Sequence, residues 1–128
     1  ALMWRSARPT DTGKRAEQGA CRFLENNKLK IIAKNYHCRF GEIDVIARSP
    51  EHLVFVEVRY RNNPHFGSAA ETVNTAKQRR IILTAHHYLS SAGGRQYNEL
   101  PCRFDVIEAS PGNSGELHFN WLPHAFQE

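Results

Sequence analysis

Residues 41–61 constrain the fold more than any other stretch. Gly-Glu-Ile-Asp-Val-Ile-Ala begins at Gly41, and after a polar break Leu-Val-Phe-Val-Glu-Val-Arg-Tyr-Arg runs to Arg61. β-Branched and aromatic residues dominate both halves, and Ser49-Pro50-Glu51 supplies turn chemistry between them, so the segment predicts an antiparallel hairpin. A slip of one residue would invert every side chain, so the register is set by keeping one face apolar with a short loop. Arg48 then pairs with Leu53, Ile46 with Phe55, Asp44 with Glu57 and Glu42 with Arg59. Ile43, Val45, Ala47, Val54, Val56, Val58 and Tyr60 share the other side, which is expected to be the core face.

Directly opposed residues hold their Cβ atoms about 4.5–5.5 Å apart, where like charges destabilise a sheet. Asp44 against Glu57 therefore calls for a cation. A solvated hairpin end, or neutralisation by Arg59 and Arg61, would meet that need. So would a hard divalent ion held by two carboxylates, the ligand type that suits Mg²⁺.

The 128 residues are enough for one domain with a real core. Residues 1–12 read as a lead-in rich in Arg and small polar residues, 13–122 as the domain, and 123–128 as a tail. Lys and Arg number 17 against 13 acids, for a net charge of +4, a balance compatible with nucleic acid or an anionic surface. Cys21, Cys38 and Cys102 are odd in number and widely spaced, which suggests neither a disulfide framework nor a zinc knuckle and predicts buried, reduced thiols. No apolar run approaches the roughly 18 residues that span a bilayer, and the expected location is the cytoplasm, away from membranes.

Ala16, Ala20, Phe23 and Leu24 recur at helical spacing after Asp11 and Thr12, and Asn26-Asn27 ends that helix. Glu17 lies at the edge of its buried stripe, either as an N-terminal charge that favours the helix dipole or as a site residue. Leu29–Tyr36 predicts a first strand. Ser68–Val73 is expected to form a short helical turn ahead of Asn74, a good N-cap. Ile81, Ile82, Ala85, Tyr88 and Leu89 stripe a second helix that Gly93-Gly94 stops. Lys77, Arg79 and Arg80 crowd its first two turns, where the dipole is already positive. A solvated face or a bound phosphate would account for them. Arg103–Ala109 and a strand carrying Leu117, Phe119 and Trp121 follow, with Asp105 expected to be an exposed edge acid. The seven histidines show no ligand spacing.

Several of these segments together resemble a family. Ala16-Glu17-Gln18-Gly19-Ala20, Phe40-Gly41-Glu42-Ile43-Asp44, Val54-Phe55-Val56-Glu57-Val58-Arg59, Phe66-Gly67 and Arg103-Phe104-Asp105-Val106 follow in the order of the YraN family of bacterial proteins. The spacing from Asp44 to Glu57-Val58-Arg59 resembles the acid…Glu-x-Lys signature of restriction-endonuclease-like nucleases, including Holliday-junction resolvases. The resemblance implies an α/β fold with a restriction-endonuclease-like mixed sheet, order α-β-β-β-α-β-β, flanked by helices. It implies Mg²⁺, or Mn²⁺, held by Glu17, Asp44, Glu57 and the backbone carbonyl of Val58. It also implies hydrolysis of DNA, branched DNA included, by a homodimer that makes two cuts.

Where the family carries lysine this chain has Arg59, which with a pKa above about 12 can stabilise charge but cannot serve as a base. Lys77 is the candidate substitute, and Arg59, Arg61, Lys77, Arg79 and Arg80 are the expected nucleic-acid contacts. An inactive nucleic-acid-binding module of the same fold is the alternative to an endonuclease. Binding to another partner, without nucleic acid, is a third reading.

Overall fold

The structure, a computed structural model, describes residues 11–62 and 73–128. Helix α1 (Asp11–Asn26) leads into strands β1 (Lys30–Cys38), β2 (Gly41–Arg48) and β3 (Leu53–Tyr60). Helix α2 (Thr75–Ser90), a 3₁₀ turn (Arg95–Tyr97), β4 (Cys102–Pro111) and β5 (Leu117–Phe126) complete the described chain. The strands form one five-stranded sheet in the order β1-β2-β3-β4-β5. β3 and β4 pair parallel across the α2 connection, and the other neighbours pair antiparallel. This is the predicted α/β order. β5 continues to Phe126, so residues 123–126 are sheet rather than tail. Of the expected turn at Ser68–Val73 only Val73, buried in the core, is among the described residues; Phe66-Gly67 and residues 1–10 are also outside them.

The hairpin has the expected register, with Arg48 opposite Leu53 and Val45 opposite Val56. Its faces correct the prediction of a single core side. α1 covers Val45, Ala47, Val54 and Val56, while Ile46 and Phe55 are buried beneath α2 among Ile81, Ala85, Tyr88 and Phe104. Ile43 joins the α2 side too. A sheet covered on both faces by helices buries both sets of alternating side chains, as central strands of α/β proteins do.

Asn74 caps α2 as predicted, its side chain accepting from the Lys77 amide at 2.9 Å. The helix ends at Ser90. Ser91 caps it through Tyr88 O, and a Cβ on Gly94 would lie 2.0 Å from that same oxygen, so only glycine lets the chain fold back here. In α1, Gly19 lies against the Phe119 ring, and a Cβ there would come within 2.4 Å of it. A helix-interior glycine costs about 1 kcal/mol of propensity, and here it sets how closely α1 approaches β5. Gly19→Ala should destabilise by about 1 kcal/mol net, since overpacking typically costs 1–3. A urea midpoint above wild type would mean that the ring moves aside freely.

Candidate functional site

The β2–β3 ladder runs only from Arg48–Leu53 to Val45–Val56. Beyond it the strands part, and the pairs expected at Asp44–Glu57 and Glu42–Arg59 do not form as ladder pairs. The Val58 amide instead donates to Asp44 Oδ2 at 2.8 Å. The carboxylate thus takes an N–H that a continued ladder would have given to a backbone carbonyl. Val58, expected to offer its carbonyl to a metal, contacts Asp44 through its N–H.

Glu57, on the α2 side of β3, is buried, and Lys77 Nζ lies 2.6 Å from its Oε2. The Asn74 cap starts α2 so that its first turn reaches the opened end of the hairpin. Glu17 approaches from α1, near enough for Glu42 and Glu57 to act on its ionisation. Asp44, Glu57, Glu17 and Lys77 therefore come together from β2, β3 and the two helices, although the Asp44–Glu57 ladder pair of the expected register is absent.

Burial and the neighbouring Glu57 charge hold the Asp44 carboxyl well above the ordinary carboxylate range. The Val58 amide opposes that rise, and Glu17 adds to it. Burial also raises Glu17, with Glu42 and Glu57 adding to it, while a hydrogen bond from Asn35 and the charge of Lys34 pull it down. Asn35 was not a predicted site residue. It sits within β1 between the Lys34–Val45 and Tyr36–Ile43 pairs at φ 54°, an αL conformation that asparagine adopts more readily than most residues. An asparagine in mid-strand was the available signal.

The basic residues divide. Arg59 follows Glu57 by two residues and so projects from the same sheet face. Arg61 Nε lies 3.1 Å from Glu108 Oε2, an acid on β4 that was not predicted to matter and is buried. Arg79 and Arg80 are exposed on α2. Arg80 lines a cleft of about 200 Å³ with Gly41, Glu42, Lys77 and Ile81 beside the carboxylates.

Asp105 is not the exposed edge acid that was expected. It is fully buried, chelated by Arg103 at 2.9 and 3.0 Å, and accepts from Trp121 Nε1 and the His124 amide. Alternation places Asp105 on the α1 side of β4, away from Glu57, so it is structural. Cys21, Cys38 and Cys102 are free thiols, as expected, though only Cys21 is buried.

Among the described residues no three His, Cys, Asp or Glu side chains already surround one point as a closed ligand set. Glu57 is turned onto Lys77, and Asp44 onto the Val58 amide. The donors nonetheless suit a hard divalent ion, because all three are carboxylates and their mutual repulsion is relieved by positive charge.

The fold and this centre define an α/β protein in which three carboxylates and a lysine meet where two central strands part. The profile of the family described as "Uncharacterised protein family UPF0102" matches residues 16–109. A UPF0102 protein of Nitrosococcus oceani is 46% identical over 117 residues, covering 91% of this chain and 92% of that one. Those of Nitrosomonas europaea and Hahella chejuensis are each 47% identical, covering 91% of this chain and 93% and 90% of theirs. The chain belongs to the UPF0102 family, the same family as the YraN proteins that its motifs resemble. No helix among the described residues is long and apolar enough to cross a membrane.

Proposed function

We propose that this protein is a Mg²⁺-dependent endonuclease that hydrolyses phosphodiester bonds in DNA, branched DNA among its substrates. The observation that carries this reading is the meeting of Asp44, Glu57 and Glu17 at the parted strands, with Lys77 2.6 Å from Glu57. Three carboxylates this close together and this enclosed are unfavourable for folding alone, and a divalent cation relieves them. Glu17, Asp44 and Glu57 would hold the ion; when bound it supplies a Lewis acid for the phosphoryl oxygens and lowers the pKa of an attacking water.

The chain's own groups do the rest. Val58 N–H fixes the Asp44 carboxylate. Arg59, on the Glu57 face, donates to phosphate oxygens and stabilises charge that builds on them. Lys77, its ammonium held 2.6 Å from Glu57 Oε2 beside the cleft, is the group we assign to orienting the attacking water in place of the family lysine. Arg79 and Arg80 bind backbone phosphate, and a homodimer would supply the second cut that a junction needs.

The test is cleavage of duplex, nicked, flap and four-way DNA with Mg²⁺ or Mn²⁺. Arg59→Lys should retain or raise the rate, within the 10²–10⁴-fold range of general acid or base help. Activity that survives both Asp44→Asn and Glu57→Gln would belong to a contaminant and end the enzyme reading.

The alternative is a nucleic-acid-binding module without turnover. Arg59 in the lysine position and the engagement of Lys77 by Glu57 favour it. Salt-sensitive DNA binding, with no cleavage by wild type or Arg59→Lys on any of the four forms, would decide for it.

A further inference from the structure

At the other end of the β1–β2 pair lies a pocket of about 320 Å³ lined by Lys28, Lys30, Arg48 and Tyr97, with Ile32 and the Ser49-Pro50 turn. Its lining contains no carboxylate. Among the described residues no ion pair engages any of its three cations.

The three cations are exposed, and two features of the backbone place them together at some cost. Lys30 and Arg48 are direct partners across the ladder, where like charges repel. Lys28 has φ 74° and closes α1 with a Schellman arrangement, Leu29 N–H to Leu24 O and Lys28 N–H to Glu25 O, both 3.0 Å. Glycine is the low-strain residue at that position, because a side chain there crowds the backbone. The α1 dipole favours a cation at its C-terminus, which bears on Lys28 alone and leaves the Lys30–Arg48 opposition unrelieved. An anion seated among the three offsets the Lys30–Arg48 repulsion and gives the Lys28 ammonium a partner, and the Tyr97 ring, with the Arg48 guanidinium 6.0 Å from its centre, walls one side.

We infer that Lys28, Lys30 and Arg48 form a second phosphate site, which takes the backbone of the nucleic acid at a distance from the carboxylate centre. Arg48 is four residues along β2 from Asp44, about 13 Å of strand. That is about four nucleotide steps of duplex at 3.4 Å of rise each. The site rests on the nucleic-acid part of the proposed function and not on turnover.

The test measures DNA binding by the full chain across a salt series without divalent metal, for wild type, Lys28→Gly, Lys30→Glu and Arg79→Gln/Arg80→Gln. Lys28→Gly removes strain and Lys30→Glu replaces a repulsion with a cross-strand ion pair, so both should melt at or above the wild-type temperature. Each should nevertheless bind about five- to tenfold more weakly near 0.1 M salt, with a logarithmic salt slope flatter by about 0.9 for duplex. That loss in a protein that cuts no DNA supports the site and removes only the enzyme reading. Unchanged affinity and slope in both pocket variants, with a loss in Arg79→Gln/Arg80→Gln, overturns the pocket and leaves the nucleic-acid reading standing. Wild type that binds no DNA, while inorganic phosphate shifts the Lys28 and Lys30 amide resonances, overturns the backbone assignment together with that reading. Melting well below wild type in both pocket variants overturns the account of relieved strain and charge.

Discussion

Asp44→Asn should abolish metal-dependent cleavage and at the same time raise the melting temperature of the metal-free protein at neutral pH. The asparagine oxygen still accepts from the Val58 amide, its NH₂ group can donate toward Glu57, and the repulsion among the three carboxylates falls. Removing such functional strain commonly gains about 0.5–2 kcal/mol, or about 3–5 °C per kcal/mol for a chain of this size. Cleavage should fall by more than the 10²–10⁴-fold of a lost acid or base, because ion and charge stabilisation go together. The pH dependence has a definite sign. Burial and Glu57 place the folded-state pKa of Asp44 above its unfolded value, so between the two the folded chain holds more protons than the unfolded one. Its contribution to stability is complete below the unfolded pKa and is lost as pH rises through the folded one. Glu17 shifts the same way. Metal-free wild type should therefore lose stability as pH climbs out of the carboxylate range, Mg²⁺ should restore it, and Asp44→Asn should flatten both responses. Calorimetry with and without Mg²⁺ across pH checks this. A lower melting temperature for metal-free Asp44→Asn would show that the ionised carboxylate is a net structural asset and sink the repulsion account.

Asp105→Ala should destabilise the fold by about 3–5 kcal/mol, the range for a broken buried ion pair. The total stability of a domain is only about 5–15 kcal/mol. Asp105 receives four hydrogen bonds, two from Arg103 and one each from Trp121 and the His124 amide. It also fixes the irregularity in the β4–β5 pairing, where the register shifts between Phe104–Phe126 and Val106–Leu122 and His124 takes φ 53°. Truncation would leave the Arg103 charge, the indole N–H and the His124 N–H without this acceptor. Asp105→Asn keeps the shape and some of the acceptors, so its loss should be smaller. Urea unfolding of the two variants gives the comparison, and a loss below about 1 kcal/mol for Asp105→Ala would mean that the network is replaced by water. Because Asp105 is on the sheet face away from Glu57, any residual activity should scale with the folded fraction.

The sequence by itself determined what acts over short range: the Arg48–Leu53 register of the hairpin, the Asn74 cap, the α2 stripe, and the side of β5 that carries Phe119 and Trp121. Alternation, turn length and capping are properties of neighbouring residues, so they are visible in a linear string. The same alternation put Asp44 and Glu57 on one side of the hairpin, although the ladder ends at Val45–Val56 before it reaches them. Tertiary structure alone decided that a helix would cover each face of β2 and β3, and so that Ile46 and Phe55 are core. It also decided that Lys77 would reach Glu57, that Arg61 would meet Glu108, and that Asp105 would be enclosed by Trp121 and a β5 bulge. Each of those outcomes joins segments far apart in the chain. They depend on how α1 and α2 pack across the sheet and on β4 lying parallel to β3, and periodicity within one segment carries no record of which other segment will lie against it.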